Sequence, residues 1–525
     1  MYKPAELTIP FMHIQHYNIS FHNMELLIPF SLLFTFACIL LALFNTLNRS
    51  NSKILPPGPW KLPLLGNIHQ FFGPLPHQTL TNLANQHGPL MHLQLGEKPH
   101  IIVSSADIAK EIMKTHDAIF ANRPHLLASK SFAYDSSDIA FSSYGKAWRQ
   151  LKKICISELL NAKHVQSLRH IREEEVSKLV SHVYANEGSI INLTKEIESV
   201  TIAIIARAAN GKICKDQEAF MSTMEQMLVL LGGFSIADFY PSIKVLPLLT
   251  GMKSKLERAQ RENDKILENM VKDHKENENK NGVTHEDFID ILLKTQKRDD
   301  LEIPLTHNNV KALIWDMFVG GTAAPAAVTV WAMSELIKNP KAMEKAQTEV
   351  RKVFNVKGYV DETELGQCQY LNSIIKETMR LHPPEALLLP RENSEACVVN
   401  GYKIPAKSKV IINAWAIGRE SKYWNEAERF VPERFVDDSY DFSGTNFEYI
   451  PFGAGRRICP GAAFSMPYML LSLANLLYHF DWKLPNGATI QELDMSESFG
   501  LTVKRVHDLC LIPIPYHPTS KLGHL

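Results

Sequence analysis

The sequence predicts a mainly α-helical fold with small β-sheets, preceded by a single N-terminal transmembrane helix, and three features of its 525 residues predict it. Leu26 to Leu43 is an almost unbroken run of Leu, Ile, Phe and Ala, close to the roughly 20 apolar residues that span a bilayer. From about Asn308 to Ile337 the chain is apolar again, and at ~1.5 Å per residue one helix of that length crosses a whole globule. Short alternating segments, Leu90 to Leu95 and His100 to Val103, read as strands of a small sheet.

Composition narrows the class. With 45% hydrophobic residues the chain can bury a large core, and 56 basic against 56 acidic residues leave no net charge to attract nucleic acid. Seven cysteines (38, 155, 214, 368, 397, 459 and 510) are scattered without CxxC or other zinc spacing. An odd, dispersed set argues for a reducing compartment rather than a disulfide framework.

In chain order, residues 1–24 are polar and aromatic and receive no assignment. Residues 25–47 read as a membrane anchor. Glu25 precedes the apolar run and Arg49 and Lys53 follow it, which places the following domain in the cytosol. A cleaved signal peptide is the alternative, but no small-residue cleavage site follows. Residues 48–67 form a hinge, stiffened by prolines 56, 57, 59 and 63, and 68–525 is the folded domain.

Within that domain, Trp148 and Lys152 stand i and i+4 on one helix face and together can clamp a carboxylate. Residues 160–300 read as successive amphipathic helices, with the charge-dense run from Lys253 to Asp300 a solvated face. Met221 to Leu249 is apolar and aromatic, with Phe234, Phe239 and Tyr240, and reads first as core. Thr306 or Asn308 can cap the long apolar helix. Gly320 and Gly321 within it allow a ligand to approach the backbone. Pro325 removes the N–H that would bond the Gly321 carbonyl, leaving that carbonyl to a water or substrate group and inviting a kink. Further on, Glu377 and Arg380 lie i and i+3 on a helix followed by LHPP, then an extended segment, PEALLLPR, from Pro384 to Arg391.

The organising stretch is Pro451 to Gly461, PFGAGRRICPG, with Cys459 near its end and an apolar run from Ala462 to Leu477 behind it. This pattern describes a tight loop that hands a thiolate to the start of a helix, where free N–H groups and the positive helix end favour charge on sulfur. Arg457 adds a cation for an acidic group of whatever the loop holds.

This loop resembles the haem-binding loop of the cytochrome P450 haem-thiolate monooxygenases at every defining position. Over residues 25 to 515 the motif order is similar to the plant microsomal A-type group. The resemblance implies haem b with Cys459 as the axial ligand of its iron, and Phe452 and Arg457 beside it. It implies haem propionate contacts from Trp148, Lys152, which replaces the commoner arginine, and Arg391. Glu377, Arg380 and Arg434, the last within PERF, would form a buried ion cluster of structural role. Phe318, Ala386, Leu387, Leu388 and, in FGLTV, Leu501 would line the substrate site, all apolar, for a hydrophobic substrate. It further implies O2 as co-substrate, NADPH electrons through a separate NADPH–cytochrome P450 reductase, membrane lipid as a partner, no nucleic acid, and a single-pass endoplasmic reticulum location with a cytosolic catalytic domain.

One segment departs from the family. Where an acid and then an alcohol usually follow the glycines and relay protons, this chain reads GGTAAPAAV, Gly320 to Val328, with Ala323 and Ala324 at those positions. Neither alanine exchanges a proton through its side chain, and Thr322 is rotated about 100° away around the helix. Gly321, Thr322, Ala323 and Ala324 thus form an oxygen-activation segment without relay side chains. Three readings stay open: proton delivery through water or a substrate hydroxyl, chemistry that needs less protonation such as rearrangement or oxidative ring closure, and poor oxygen activation. The expectation is oxidation of a small hydrophobic plant metabolite, a terpenoid or alkaloid. Its rivals are a haem-thiolate isomerase or dehydratase needing no reductase, and a non-catalytic haem protein.

Overall fold

The computed structural model describes residues 35–36, 55–71, 73–213, 217–231, 235–277, 286–437 and 440–517. The expectations for 1–24 and for the anchor at 25–47 fall outside these residues apart from Thr35 and Phe36, which are helical; Phe234 also falls outside. The proline-rich stretch from Leu55 is packed rather than free. His92 donates its N–H to Pro57 at 2.8 Å, the Asn67 side chain reaches the Trp60 carbonyl at 2.9 Å, and a Cβ on Gly58 would meet the His92 carbonyl at 2.1 Å.

The helices used below are α1 (Pro76–His87), α2 (Lys146–Ile154), α3 (Arg169–Ala185), α4 (Leu193–Asn210), α5 (Gln217–Leu231), α6 (Met252–Asn277), α7 (Phe288–Gln296), α8 (His307–Lys338), α9 (Pro340–Phe354), α10 (Gln369–Leu381) and α11 (Ala462–His479). The largest sheet has four strands, β1 (Leu90–Leu95), β2 (Lys98–Val103), β3 (Arg391–Glu392) and β4 (Lys409–Ile412), in the order β1-β2-β4-β3. β2 pairs parallel to β4 with His100 opposite Lys409, while β1 and β3 pair antiparallel at the edges. The fold is therefore mainly helical with small sheets.

At its centre runs α8. Thr306 caps it, accepting from the Asn309 N–H while the Asn309 side chain accepts from the Thr306 N–H, a reciprocal box that satisfies two free donors. The helix is buried on nearly every side and continues through Pro325 without a break. It crosses α4 so closely that a Cβ on Gly321 would stand 2.3 Å from Ile205 Cδ1. A side chain at Gly321 would therefore have to displace Ile205, whereas a Cβ on Gly320 would meet open space.

Behind α8, the LHPP segment ties four elements together. His382 stacks on Trp331 with parallel rings 4.0 Å apart, bonds Glu335 at 2.8 Å, and lies 3.5 Å from Glu497. Glu497 in turn bonds His77 of α1 at 2.9 Å. This network holds the C-terminal end of α10 against the middle of the fold, and so positions the extended segment that begins at Pro384.

Candidate active site

The loop before α11 turns on two glycines with left-handed torsions, Gly453 (φ 69°) and Gly455 (φ 68°). A Cβ on Gly455 would collide with the Met113 carbonyl at 2.3 Å, so the loop is seated against its neighbours. The Cys459 N–H bonds the Phe452 carbonyl at 2.9 Å, and the Gly461 N–H points at the Cys459 Sγ from 3.4 Å. The sulfur has accessible surface, but that surface opens into an internal cavity of about 270 Å³.

One wall of this cavity is α8, which contributes Trp315, Gly320, Gly321, Ala324, Pro325 and Val328. The opposite wall is the Cys459 loop with Phe452. Leu228 and Leu231 of α5, Leu388, and Leu501 close the apolar sides.

Cations gather at the polar end. Trp148, Lys152, Arg391 and Arg457 all line the cavity, and so does Arg123, which sequence reading passed over inside FANRP. Arg457 donates to the carbonyls of Ala121 (2.7 Å), Ile139 (3.1 Å) and Ser142 (2.5 Å) and lies over the Trp148 ring at 4.2 Å. Lys152 reaches the Arg456 and Ile458 carbonyls at 2.5 and 3.1 Å, binding the Cys459 loop to α2. Arg391 bonds the Ala454 carbonyl at 2.8 Å, and Arg123 those of Leu389 and Pro390 at 2.6 and 2.8 Å. Arg391 also pairs with the buried Asp117 at 3.3 Å, and burial and mutual repulsion leave the rest of the cluster ready to accept anions. Burial, with Arg391 beside it, brings Arg457 down to about 9, and burial with Arg457 nearby brings Lys152 down to about 8.

Burial likewise governs the sulfur. It pushes the Cys459 thiol up to about 11, against the pull of the Gly461 N–H; Glu385 adds to the rise, and Lys152 and the Ala462 N–H oppose it. The N–H groups at the helix start favour charge on the sulfur, as expected, but burial outweighs them; a bound metal would supply the positive partner that deprotonates a coordinating thiol outright. A sulfur open to the cavity from a glycine-turned loop, apolar walls and clustered cations fit a haem with two propionates. Cys459 would ligate its iron, and Arg123, Lys152, Arg391 and Arg457 would hold its acidic edge, while the Trp148 indole N–H is already given to the Ile139 carbonyl at 3.0 Å.

Several expected side chains stand elsewhere. Phe318 turns away from the cavity and packs edge-on against Phe220, with centroids 4.8 Å apart. Thr322 is buried and returns its hydroxyl to the Phe318 carbonyl at 2.8 Å, and Ala323 is also buried away from the cavity; of the segment, Gly321 and Ala324 face it. Ala386 and Leu387 line a smaller neighbouring pocket of about 40 Å³, which shares Glu385, Leu388 and Leu501 with the main cavity. The Gly321 carbonyl is not left to water or substrate, because Tyr468 of α11 donates its hydroxyl to it at 2.6 Å.

Nor is the lining wholly apolar. Asp316 and Glu385 both face the cavity. Asp316 accepts the Ile139 N–H at 2.8 Å, and burial, then the nearby Asp138, raises it well above the usual carboxylate range. Burial pushes Glu385 up to about 7. The acidic letter inside PEALLLPR was the one available signal for Glu385; Tyr468 had none, since it meets Gly321 only where two distant helices cross.

Outside the cavity, Glu377 and Arg380 are fully buried and doubly bonded at 2.6 and 2.8 Å. Arg380 also donates to the Gly418 and Ala427 carbonyls, both at 2.7 Å, and to Arg429 at 3.1 Å. Glu377 accepts the Val431 N–H at 2.8 Å and the Arg434 Nε at 3.4 Å.

The cytochrome P450 family model matches residues 56–509. The chain is 54% identical over 505 residues to cytochrome P450 71D10 of Glycine max, covering 93% of this chain and 98% of that relative. It is 48% identical over 478 residues to premnaspirodiene oxygenase of Hyoscyamus muticus, covering 90% and 95%. A zebrafish cytochrome P450 solved with abiraterone shares the fold, with a TM-score of 0.73, 22% identity, and coverage of 85% of this chain and 100% of that one.

Proposed function

Because the chain belongs to the cytochrome P450 family and is a monooxygenase of that family, we propose that it oxidises a small, largely hydrophobic plant specialised metabolite, a terpenoid or alkaloid. Electrons come from NADPH through a separate reductase. The protein is a single-pass protein of the endoplasmic reticulum, anchored by residues 25–47 with its catalytic domain in the cytosol. The observation that carries this reading is the cavity itself: Cys459 on one wall, α8 on the other, and a cluster of four cations and Trp148 at one end.

A haem held there supplies reductive activation of O2. The chain's own residues do the rest. The Cys459 loop, fastened by Lys152 and Arg391, fixes the sulfur; Arg123 and Arg457 would bind the acidic edge of the group, with Trp148 packed under Arg457. Leu228, Leu231, Leu388, Leu501 and Val328 exclude water and hold an apolar body against α8.

Proton delivery is atypical. Ala324 faces the cavity without a proton to give, Ala323 does not face it at all, and Tyr468 already spends its hydroxyl on Gly321. The α8 segment therefore gives no side-chain proton at the alanines, which favours delivery by ordered water or by a group on the substrate, and reactions with a smaller proton demand such as rearrangement or oxidative ring closure.

The test is a metabolite screen in microsomes with and without added reductase, using wild type and Cys459→Ser. Products that require NADPH and reductase and vanish in the variant are expected. Products formed equally without reductase, or full turnover by Cys459→Ser with an unchanged reduced carbon-monoxide spectrum, overturn the reading.

A further inference from the structure

Glu385 is an acid without a side-chain partner among the described residues, in a largely apolar part of the wall. Its flanks are fixed: the Val503 N–H bonds the Pro384 carbonyl at 2.7 Å, and the Trp415 N–H bonds that of Ala386 at 3.1 Å. The turn closes with the Leu388 N–H on the Glu385 carbonyl at 3.0 Å, and Leu388 takes a left-handed φ of 46° to do so. The side chain is thus held in place by a strained, bonded turn rather than carried on a loose loop.

The carboxyl meets neither an ion-pair partner nor a neighbouring donor among the described residues; its hydrogen bond is with its own backbone. Leu231, Leu388, Phe499 and Leu501 surround it in the two adjoining pockets, and Lys409, whose charge is drawn to Asp238, lines the smaller one. Asp316, the other acid of the cavity, differs because backbone N–H groups of Ile139 and Ala140 satisfy it.

A half-buried carboxyl in a mostly apolar setting is costly unless something pairs with it, and among the described residues only its own backbone does so. A neutral partner such as an alcohol can be served by Thr502, which lines the same cavity without a charge to desolvate. A carboxylate is offset best by a positive group, whose charge-assisted hydrogen bond is roughly twice as strong as a neutral one. We propose that Glu385 is the specificity-determining polar group of this cavity, and that the substrate is an apolar body carrying a basic nitrogen that pairs with it. This rests on the reading of the cavity as the substrate site, and narrows the substrate class from terpenoid or alkaloid to a compound with a protonated amine.

The experiment uses the full-length haem-loaded protein in nanodiscs near neutral pH and measures binding by calorimetry. Three probes share one body: dimethyladamantylamine, its uncharged isostere isopropyladamantane, and adamantanol. Wild type should bind the amine at least ~10-fold tighter than the isostere, the range of a hydrogen bond to a charged group. Glu385→Gln should abolish that preference while the isostere binds as before, which also reports an intact cavity. An amine preference that is absent in wild type, or that survives in Glu385→Gln, overturns the proposal, and so does Glu385-dependent binding of the alcohol alone. The wild-type comparison decides even if the variant does not fold. Because no turnover is read, failure here is distinct from failure of the monooxygenase reading, which the carbon-monoxide spectrum and reductase dependence report.

Discussion

The Tyr468 hydroxyl donates to the Gly321 carbonyl at 2.6 Å, and that carbonyl is the one Pro325 leaves without its helical N–H. The proline and the tyrosine lie on different helices, yet each explains the other. A buried carbonyl stripped of its donor costs about 1–3 kcal/mol, so Tyr468→Phe should destabilise the protein by that amount. In a Pro325→Ala background the restored N–H can take the carbonyl, and the same substitution should cost less. A double-mutant cycle by chemical denaturation should therefore give a coupling of ~0.5–3 kcal/mol, whereas additivity within ~0.5 kcal/mol would show the two to be independent.

The stacked pair His382 and Trp331 predicts a dependence of stability on pH. Burial lowers the His382 pKa, but hydrogen bonds to Glu335 and Glu497 outweigh it, so the histidine titrates above its ordinary value of 6.5. Its contribution is complete below 6.5 and fades as pH rises through the folded value. Burial raises Glu497, yet His382 and His77 hold it far below its ordinary 4.5, so its share is present above 4.5 and is lost as pH falls through the folded value. The Tm gap between wild type and His382→Gln should be widest in mildly acidic buffer and narrow steadily into alkaline buffer. A gap constant across that range would mean the histidine acts by packing alone.

What the sequence made legible was local or carried by a motif. The Cys459 loop, the long helix at 308–337 and the Glu377–Arg380 spacing all lie within a few turns of chain, so their residue types and intervals could be read directly. The assignment of Phe318 to the cavity failed for a physical reason: α8 is buried all round, so apolar periodicity does not distinguish the face toward the cavity from the face toward Phe220. Arg123, Tyr468 and Glu385 depend on where separate elements meet. Whether an acid in an apolar segment is solvated or enclosed is decided by tertiary packing, which no interval in the sequence encodes.

The ion cluster should be unequal among its members. Arg380 is fully enclosed and makes two bonds to Glu377 and three to carbonyls, whereas Arg434 is 14% exposed and approaches Glu377 only at 3.4 Å. Arg380→Ala strands a buried carboxylate and should cost about 3–5 kcal/mol, with loss of haem content. Arg434→Ala leaves the main pair intact and should cost ~1 kcal/mol or less. Denaturation midpoints and haem-to-protein ratios check the order; equal losses would contradict it.

Restoring the missing relay should separate the two alanines. Ala324 faces the cavity, so Ala324→Thr brings a hydroxyl to its wall, while Ala323 is 7% exposed and packed away from it, so Ala323→Asp buries an unpaired carboxylate. The second change should cost stability by about 3–5 kcal/mol and do little for turnover. The first should leave stability nearly unchanged and alter product formed per NADPH consumed, since a positioned proton donor contributes ~10²–10⁴-fold where proton transfer limits the rate. If Ala324→Thr changes neither NADPH consumption nor yield with a substrate from the microsomal screen, protons already arrive by another route that does not limit the reaction. A solvent deuterium isotope effect on the wild-type enzyme gives the independent check: it should be large if water carries the proton and should shrink in Ala324→Thr.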